Sequence, residues 1–489
     1  MELCEAIIEG NIERVLELLR TKDFEFTFQG TEGEKTPLYL SCQYGHLEIV
    51  ELLLQDQRID VNQGNKNQES PFFIACQEGR EQIVKLLLNE KRVDVNQTDC
   101  DQVTPFFIAC EVGNLEVVKI LLQNERINVN EKEKEGITPF FIASQEGYIE
   151  IVKEMLVCER IDFNQVRDMG ATPFYVACEK GYLDIVQLLL NDPRIDLNKP
   201  QFEGVSPFFI ACECGQTEIV RRLLTHPQID VNQPRNDGIT PLFMACQNGH
   251  TEVIKLLLQD QRINVNKERD MGATPFYVAC SHGQLDVVKL LLEDPRVDVN
   301  QSQNQGATPF YIACQEGKTE IVELLLQDQR TNFLLPNNNG STPLYIACQK
   351  GHFEIVKILL QVDRIDVNQP RFNGITPFYI VCSKGHLDIL KLFLKDSRFD
   401  INKAEISGKT PFLKACQNGH IQIMKWMLAM EKDVDMKALD KNGKDVFEHA
   451  KLKENQEIIQ LLETYKTNRM DSIFRLCKQL HILGIFIFH

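Results

Sequence analysis

The chain has 489 residues, an apolar fraction of 43%, a charged fraction of 25% and a formal net charge of -17. This composition is typical of a folded, soluble chain, and the acidic balance argues against a broad phosphate-binding surface, although local basic patches are compatible with it. The acidic start "MELCEAIIEGN" lacks a secretory signal, and no run reaches the roughly 18 apolar residues that a membrane helix needs. We therefore expect no nucleic-acid partner, no membrane span and a cytoplasmic location, with the nucleus as an open alternative.

A 34-residue repeat occupies most of the sequence after the first segment. Its clearest mark is a Thr-Pro or Ser-Pro pair that returns twelve times without a slipped register. The first members of these pairs are Thr36, Ser70, Thr104, Thr138, Thr172, Ser206, Thr240, Thr274, Thr308, Thr342, Thr376 and Thr410. Strict self-similarity at this period predicts a stacked array and leaves no room for an inserted domain between these residues.

Each repeat carries its own folding signals. Thr or Ser is suited to cap a helix that begins at Pro, and a Gly such as Gly45 is suited to end it. A second helix is predicted in "HLEIVELLL" from His46, with an apolar stripe broad enough to contact neighbours on both sides. A polar stretch with Gly two residues before the next Thr, such as Gly136, then predicts a hairpin-like turn.

The two ends of the array differ from its middle. The segment "EAIIEGNIERVLELL" from Glu5 lacks the Thr-Pro opening, and "DKNGKDVFEHAKLKENQEIIQLLETY" from Asp440 shifts the register by one residue at Asp445. We expect an N-terminal capping repeat at about 1–30, twelve full repeats at about 31–435 and a degenerate C-terminal capping repeat at about 436–465. The tail 466–489 fits no repeat; a helix folded back on the array and a loose tail are both open.

The motifs "G-x-T-P-[LF]-x-x-A" and "G-H-L-E-[IV]-V-x-L-L-L" closely resemble the ankyrin repeat. The resemblance covers about residues 2–465 and implies an all-α fold, an ankyrin-type α-solenoid of helix-turn-helix repeats with projecting β-hairpin turns. Two departures are the extra residue over the usual period of 33 and an aromatic ring, such as Tyr39 or Phe73, in place of the family's His. We expect the fold to survive both.

Eleven of the 16 cysteines share one repeat position. They are Cys42, Cys76, Cys110, Cys178, Cys212, Cys246, Cys280, Cys314, Cys348, Cys382 and Cys416. Helices stacked roughly 8–10 Å apart hold such residues too far apart for disulfides, so a small buried thiol is favoured over a redox or metal role.

Arg and Asn form two further ladders at the end of each repeat. The arginines, such as Arg58 and Arg92, recur with an acidic or amide residue two positions later, such as Asp60 or Asp94. They are therefore predicted to pair with carboxylates in their own or the next repeat, and phosphate binding is the alternative. The resemblance implies that the asparagines, such as Asn62, join successive turns through amide hydrogen bonds. The recurring histidines, such as His46, are expected to be surface caps of the second helix.

Nothing in the pattern favours catalysis or a cofactor, because a catalytic set converges once, whereas these polar residues recur in every repeat. Cys212 and Cys214 supply only two thiols, and the histidines lie in separate repeats, so we expect no metal site. An enzyme or a metal-binding protein is therefore the remote alternative.

The variable turn tips are the candidate partner-binding site, because they mix apolar and Arg side chains of the kind found in binding hot spots. The candidate residues are Arg167, Asp168, Met169, Phe202, Arg235, Asn236, Arg269, Asp270, Met271, Arg371 and Phe372. Drift in exposed loops is the competing explanation. We expect a monomeric, non-enzymatic scaffold or adaptor for protein partners, bound on a concave surface; a structural spacer without a specific partner is the alternative.

Overall fold

The computed structural model describes residues 2–20, 34–430 and 433–481. In these ranges every regular element is an α-helix and there is no β-strand. The helices form two compact bodies. The first body comprises Met1–Pro241 with Gln259–Ile263, and the second comprises Leu242–Leu258 with Asn264–His489.

The first body contains fourteen of the described helices, arranged as consecutive pairs. They are α1 (Glu2–Ile8), α2 (Ile12–Leu19), α3 (Pro37–Tyr44), α4 (Leu47–Gln55), α5 (Pro71–Gln77), α6 (Glu81–Asn89), α7 (Pro105–Glu111), α8 (Leu115–Leu122), α9 (Pro139–Gln145), α10 (Ile149–Val157), α11 (Pro173–Lys180), α12 (Leu183–Leu190), α13 (Pro207–Glu213) and α14 (Thr217–Leu224).

The second body contains the remaining described helices, apart from the first residue of α15 and the last of α16. They are α15 (Pro241–Asn248), α16 (Thr251–Gln259), α17 (Pro275–His282), α18 (Leu285–Glu293), α19 (Pro309–Gln315), α20 (Thr319–Gln327), α21 (Pro343–Lys350), α22 (Phe353–Leu360), α23 (Pro377–Lys384), α24 (Leu387–Lys395), α25 (Pro411–Gln417), α26 (Ile421–Ala429), α27 (Val446–Leu452), α28 (Gln456–Thr467) and α29 (Arg469–Gln479).

The first helix of each regular repeat begins and ends as its sequence predicts. In α3 the Thr36 hydroxyl accepts a hydrogen bond from the Tyr39 amide at 3.1 Å, and Pro37 occupies the first turn, where no amide is needed. Gly45 ends the helix at φ 82°, a conformation that costs glycine little. First helices pack against first helices of adjacent repeats, as α11 does against α9 and α13.

The core of each body is built from the repeated apolar positions. Phe208, Phe209 and Ala211 of α13 are buried, and so are Ile219 and Val220 of α14. The repeated cysteines lie in the same layer, each at most 1% exposed. Burial raises the pKa of these thiols, and none of the eleven forms a disulfide. The predicted role as small buried side chains is confirmed.

The Asn ladder joins successive repeats, as the family resemblance implied. The Asn164 amide donates to the main-chain oxygen of Arg194 at 2.7 Å, and its oxygen accepts from the Asp196 amide at 2.7 Å. The same pair of bonds recurs at Asn62, Asn96, Asn130, Asn198, Asn266, Asn300 and Asn368. Leu334 replaces this Asn in one repeat, yet the turn that follows keeps its backbone bonds.

Members of the Arg ladder pair with carboxylates of their own repeat, as predicted, but not with the residue two positions later. Arg296 pairs with Asp294, two positions earlier rather than later, at 2.7 Å, and also donates to the main-chain oxygen of Leu258 at the end of α16. This contact holds the pKa of Asp294 below its ordinary value. The later carboxylate is already engaged, because Asp298 accepts a hydrogen bond from the Asn300 amide.

The recurring histidines also differ from expectation. His352 precedes α22 without a side-chain capping bond. Its Nε2 instead lies 2.9 Å from the main-chain oxygen of Gln315 in the preceding repeat, and its ring fills the space beside Gly317 that a Cβ would need. The imidazole therefore joins two repeats rather than capping a helix.

The projecting turns are closed by short-range backbone hydrogen bonds and contain no β-strand among the described residues. The Arg167 amide donates to Ala171 at 3.1 Å and the Gly170 amide donates to Arg167 at 2.7 Å, which closes the turn over a few residues. The Asp168 amide donates to Glu135 in the preceding turn at 3.2 Å. The polar segment is short and most turns make one such bond with the preceding turn, so no strand ladder develops in the described residues.

A helix beyond the last repeat packs back onto it. α29 contacts α26 and α28, and the Ser472 hydroxyl donates to the main-chain oxygen of Thr464 at 2.9 Å. The folded-back alternative therefore holds for Arg469–Gln479, whereas residues 482–489 lie outside the described residues. Across the three described ranges, no helix combines the length and apolar character required to cross a bilayer.

Candidate functional site

The candidate site residues lie on the turn tips, and their large apolar side chains are exposed. Met169, Phe202, Met271 and Phe372 are between 57% and 76% exposed. The chain buries its phenylalanines in nearly every first helix, so these side chains are exceptions to its own pattern. Exposed apolar groups on backbone-linked turns are suited to binding, because little conformational freedom is lost on association.

Three of the candidate arginines fold back instead of projecting from the tips. The guanidinium groups of Arg167, Arg269 and Arg371 lie 5.6, 5.7 and 5.3 Å from the ring centres of Phe141, Phe243 and Tyr345 in the preceding repeat. Their Nε atoms are shielded from solvent and have no hydrogen-bond partner among the described residues. These cation–π contacts give the arginines a structural role in addition to any binding role.

The structure brings several candidates of the first body together. The Phe202 amide donates to the main-chain oxygen of Met169 at 3.3 Å, so the two apolar side chains sit on adjacent turns. The Asn236 side chain donates to the main-chain oxygen of Phe202 at 3.0 Å, and Arg235 forms an ion pair with Asp237 at 2.6 Å. Asn236 therefore joins two adjacent turns, and Arg235 stabilises its own turn. Met169 and Phe202 form the exposed apolar pair.

The second body separates its candidates into two places. Arg269, Asp270 and Met271 share one turn, and the next turn donates from Asn304 to Met271 at 3.2 Å. Arg371 and Phe372 lie further along, beyond the turn that contains Asn338. Met271 has polar neighbours on the following turns, whereas Phe372 is followed by further apolar residues.

Ile406 and Leu439 are exposed apolar residues that the sequence analysis missed. They are 59% and 57% exposed on the two turns that follow Phe372. The signal was available for Ile406, since it stands four residues before the repeat Thr, the position that Phe202 and Phe372 also occupy. Leu439 stands six residues before the capping residue Asp445, so it does not share that position and the pattern gave no such signal for it.

The first helices of the first body end in an acidic surface. Burial raises the pKa of Glu111, and Glu146, Glu133 and Asp99 add repulsion to its charged form. Burial likewise raises the pKa of Glu213, although Arg235 opposes the shift. A binding surface here would favour cationic or neutral partner groups.

No arrangement in the described residues is suited to hold a metal ion, because no group of three or more His, Cys, Asp or Glu side chains converges there. Cys212 is buried, whereas Cys214 is exposed, so the two thiols of "ACECG" do not share an environment.

The repeat geometry defines a helical repeat array, and comparison with known proteins gives its family. A family profile described as "Ankyrin repeats (3 copies)" matches residues 3–99, 91–167, 140–235, 208–303, 295–371 and 378–471. The chain therefore belongs to the ankyrin-repeat family. Arrays of this family typically mediate protein–protein interactions. No curated protein shows significant similarity to the chain.

Proposed function

We propose that the chain is a non-enzymatic scaffold that binds protein partners through its turn tips and the adjoining first-helix surface. The observation that carries the proposal is the exposed pair Met169 and Phe202, held side by side by a backbone bond of 3.3 Å. Large apolar side chains on rigid supports are the usual anchors of protein interfaces. Membership of the ankyrin-repeat family supports the same conclusion.

Partner capture with matched variants tests this function. The wild-type chain and a Met169→Ala/Phe202→Ala variant are immobilised and exposed to native extract, and bound proteins are quantified by mass spectrometry. We expect the variant to lose at least one partner with a cost of about 1–2 kcal/mol in binding free energy. Its melting curve should match that of wild type, because both side chains are exposed.

Val157→Ala is the control, since Val157 is an exposed apolar residue at the end of a second helix, away from the turns. Capture that is equal for all three proteins would remove the Met169 and Phe202 surface as the binding site. Absence of specific capture by wild type would favour the spacer.

A further inference from the structure

The last regular repeat has a lysine where every other regular repeat has an apolar residue. In the first helix, the position of Lys414 is filled elsewhere by Leu40, Ile74, Ile108, Ile142, Val176, Ile210, Met244, Val278, Ile312, Ile346 and Ile380. Those eleven side chains are all buried. Lys414 is only partly buried, so its charge remains at the surface of α25. An Ile at this position would be compatible with the fold, so folding alone does not explain the lysine.

We define a basic patch by Lys409, Lys414 and Lys453. Lys409 directly precedes the capping residue of α25, the helix that carries Lys414, and Lys453 ends α27, which packs against α25. Burial lowers the pKa of Lys414, and the charges of Lys409 and Lys453 lower it further, whereas Glu405 opposes them. Glu405 also accepts hydrogen bonds from the amide and hydroxyl of Ser407, and these neutral donors leave its negative charge in place. None of the three lysines forms an ion pair with any described residue, and the single carboxylate of Glu405 offsets only part of their positive charge.

Exposed apolar side chains adjoin this patch. Ile406 and Lys409 belong to one turn, closed by the Glu405 amide donating to Lys409 at 3.1 Å. The Ile406 amide donates to Asn373 at 3.1 Å, which places the turn of Phe372 directly beside it. The surface thus combines two exposed apolar side chains with a group of cations inside one body.

We propose that this surface binds an acidic peptide segment that carries a large apolar side chain, a proposal that rests on the scaffold function above. Carboxylates of the segment would neutralise Lys409, Lys414 and Lys453, and its apolar side chain would cover Phe372 and Ile406. Charge complementarity selects the partner and apolar burial contributes to affinity. A short acidic segment is favoured over polyanions such as nucleic acid or an anionic membrane, because three lysines neutralise only a few carboxylates and the net charge of -17 would repel an extended anionic surface.

Peptide selection tests the proposal directly, because it needs no purified partner. A phage-displayed library of random dodecapeptides is selected on the full-length wild-type chain, and enriched peptides are synthesised with a fluorescent label. We expect enriched peptides to contain several Asp or Glu residues and at least one large apolar residue. Their affinity, measured by fluorescence anisotropy, should fall as salt is raised, because exposed charges are screened.

The decisive variant is Lys414→Ile, which restores the residue type of the other repeats and should fold at least as well as wild type. We expect it to weaken binding at least about tenfold, and Phe372→Ser should weaken the same peptides. Lys357→Gln is the control, because it removes one positive charge from an exposed ion pair with Glu354 on α22. It should leave the affinity unchanged.

Several outcomes would overturn the proposal. Enriched peptides without acidic residues, or acidic peptides that bind Lys414→Ile as tightly as wild type, would exclude this surface while leaving the scaffold function intact. Tighter Lys414-dependent binding of phosphatidylserine-containing vesicles or of a single-stranded oligonucleotide would assign the patch to another class of ligand. A concentration-dependent dimer in sedimentation, lost in Lys414→Ile, would assign it to a second copy of the chain. Failure of the scaffold function would appear separately, in the capture assay at Met169 and Phe202.

Discussion

Phe202 and Phe209 lie seven residues apart in one repeat and occupy opposite environments. Phe209 is fully buried in α13, whereas Phe202 is 68% exposed on the preceding turn. The position of Phe209 carries an aromatic residue in eleven of the twelve regular repeats, whereas the position of Phe202 varies. In this comparison the position that keeps its residue type from repeat to repeat is buried, and the position whose residue type varies is exposed. Residue type alone therefore does not reveal whether a side chain belongs to the core.

Truncation of the two phenylalanines should give the largest difference. We expect Phe209→Ala to lower the free energy of unfolding by about 3–5 kcal/mol, because it leaves a cavity in the core. Phe202→Ala should change it by less than about 0.5 kcal/mol. Urea unfolding followed by circular dichroism measures both, and similar losses for the two variants would contradict the assigned environments.

The alkylation rates of two cysteines in the same repeat test the same contrast between a buried and an exposed side chain. Cys212 is fully buried, which raises the pKa of its thiol well above the ordinary value, whereas Cys214 is exposed at the end of α13. We expect iodoacetamide to modify Cys212 at least about 100-fold more slowly, because the helix must open first.

Peptide mass spectrometry resolves the two thiols, and urea-unfolded protein is the control in which their rates should converge. Fast modification of Cys212 in the native chain would show that the first helix is not packed as described.

The hydrogen bonds of the Asn ladder allow a comparison between a repeat that has the ladder Asn and the repeat that lacks it. Asn164→Ala removes two bonds to the next repeat and should cost about 2 kcal/mol in unfolding free energy. Leu334→Asn adds the ladder residue where it is missing and should contribute about 1 kcal/mol. Thermal and urea unfolding measure both, and a destabilised Leu334→Asn variant would show that this repeat is adapted to Leu334.

The sequence predicted the helices well because each repeat carries complete local signals. Thr36, Pro37 and Gly45 define the limits of α3 without any distant contact. The exposure of Met169, Phe202, Met271 and Phe372 was also predictable, since their positions vary in sequence while the helices around them do not.

The contacts between repeats were harder to predict, because they join residues far apart in the chain. Arg296 has a carboxylate on either side, at Asp294 and Asp298, and only the folded backbone shows that Asp298 already accepts the Asn300 amide. The position of Arg167 over Phe141 likewise depends on how successive repeats stack. The role of Lys414 was not predicted for a different reason. The repeat pattern identifies residues that recur, whereas a lysine occurs at this position only once.

Most of the ladder arginines donate to a main-chain oxygen of the preceding repeat, and these bonds bear on how such a chain can evolve. Arg194 donates to Leu156 and Arg296 donates to Leu258, each at 2.7 Å and each across one repeat. Donor and acceptor therefore recur together, and the insertion or loss of a whole repeat in the gene recreates every such bond at the new junction. The segment "RDMGATPFYVAC" occurs at both Arg167 and Arg269, three repeats apart, as duplication of a gene segment would produce. An array joined in this way can change its length without redesign of its core, and its turns are then free to diverge.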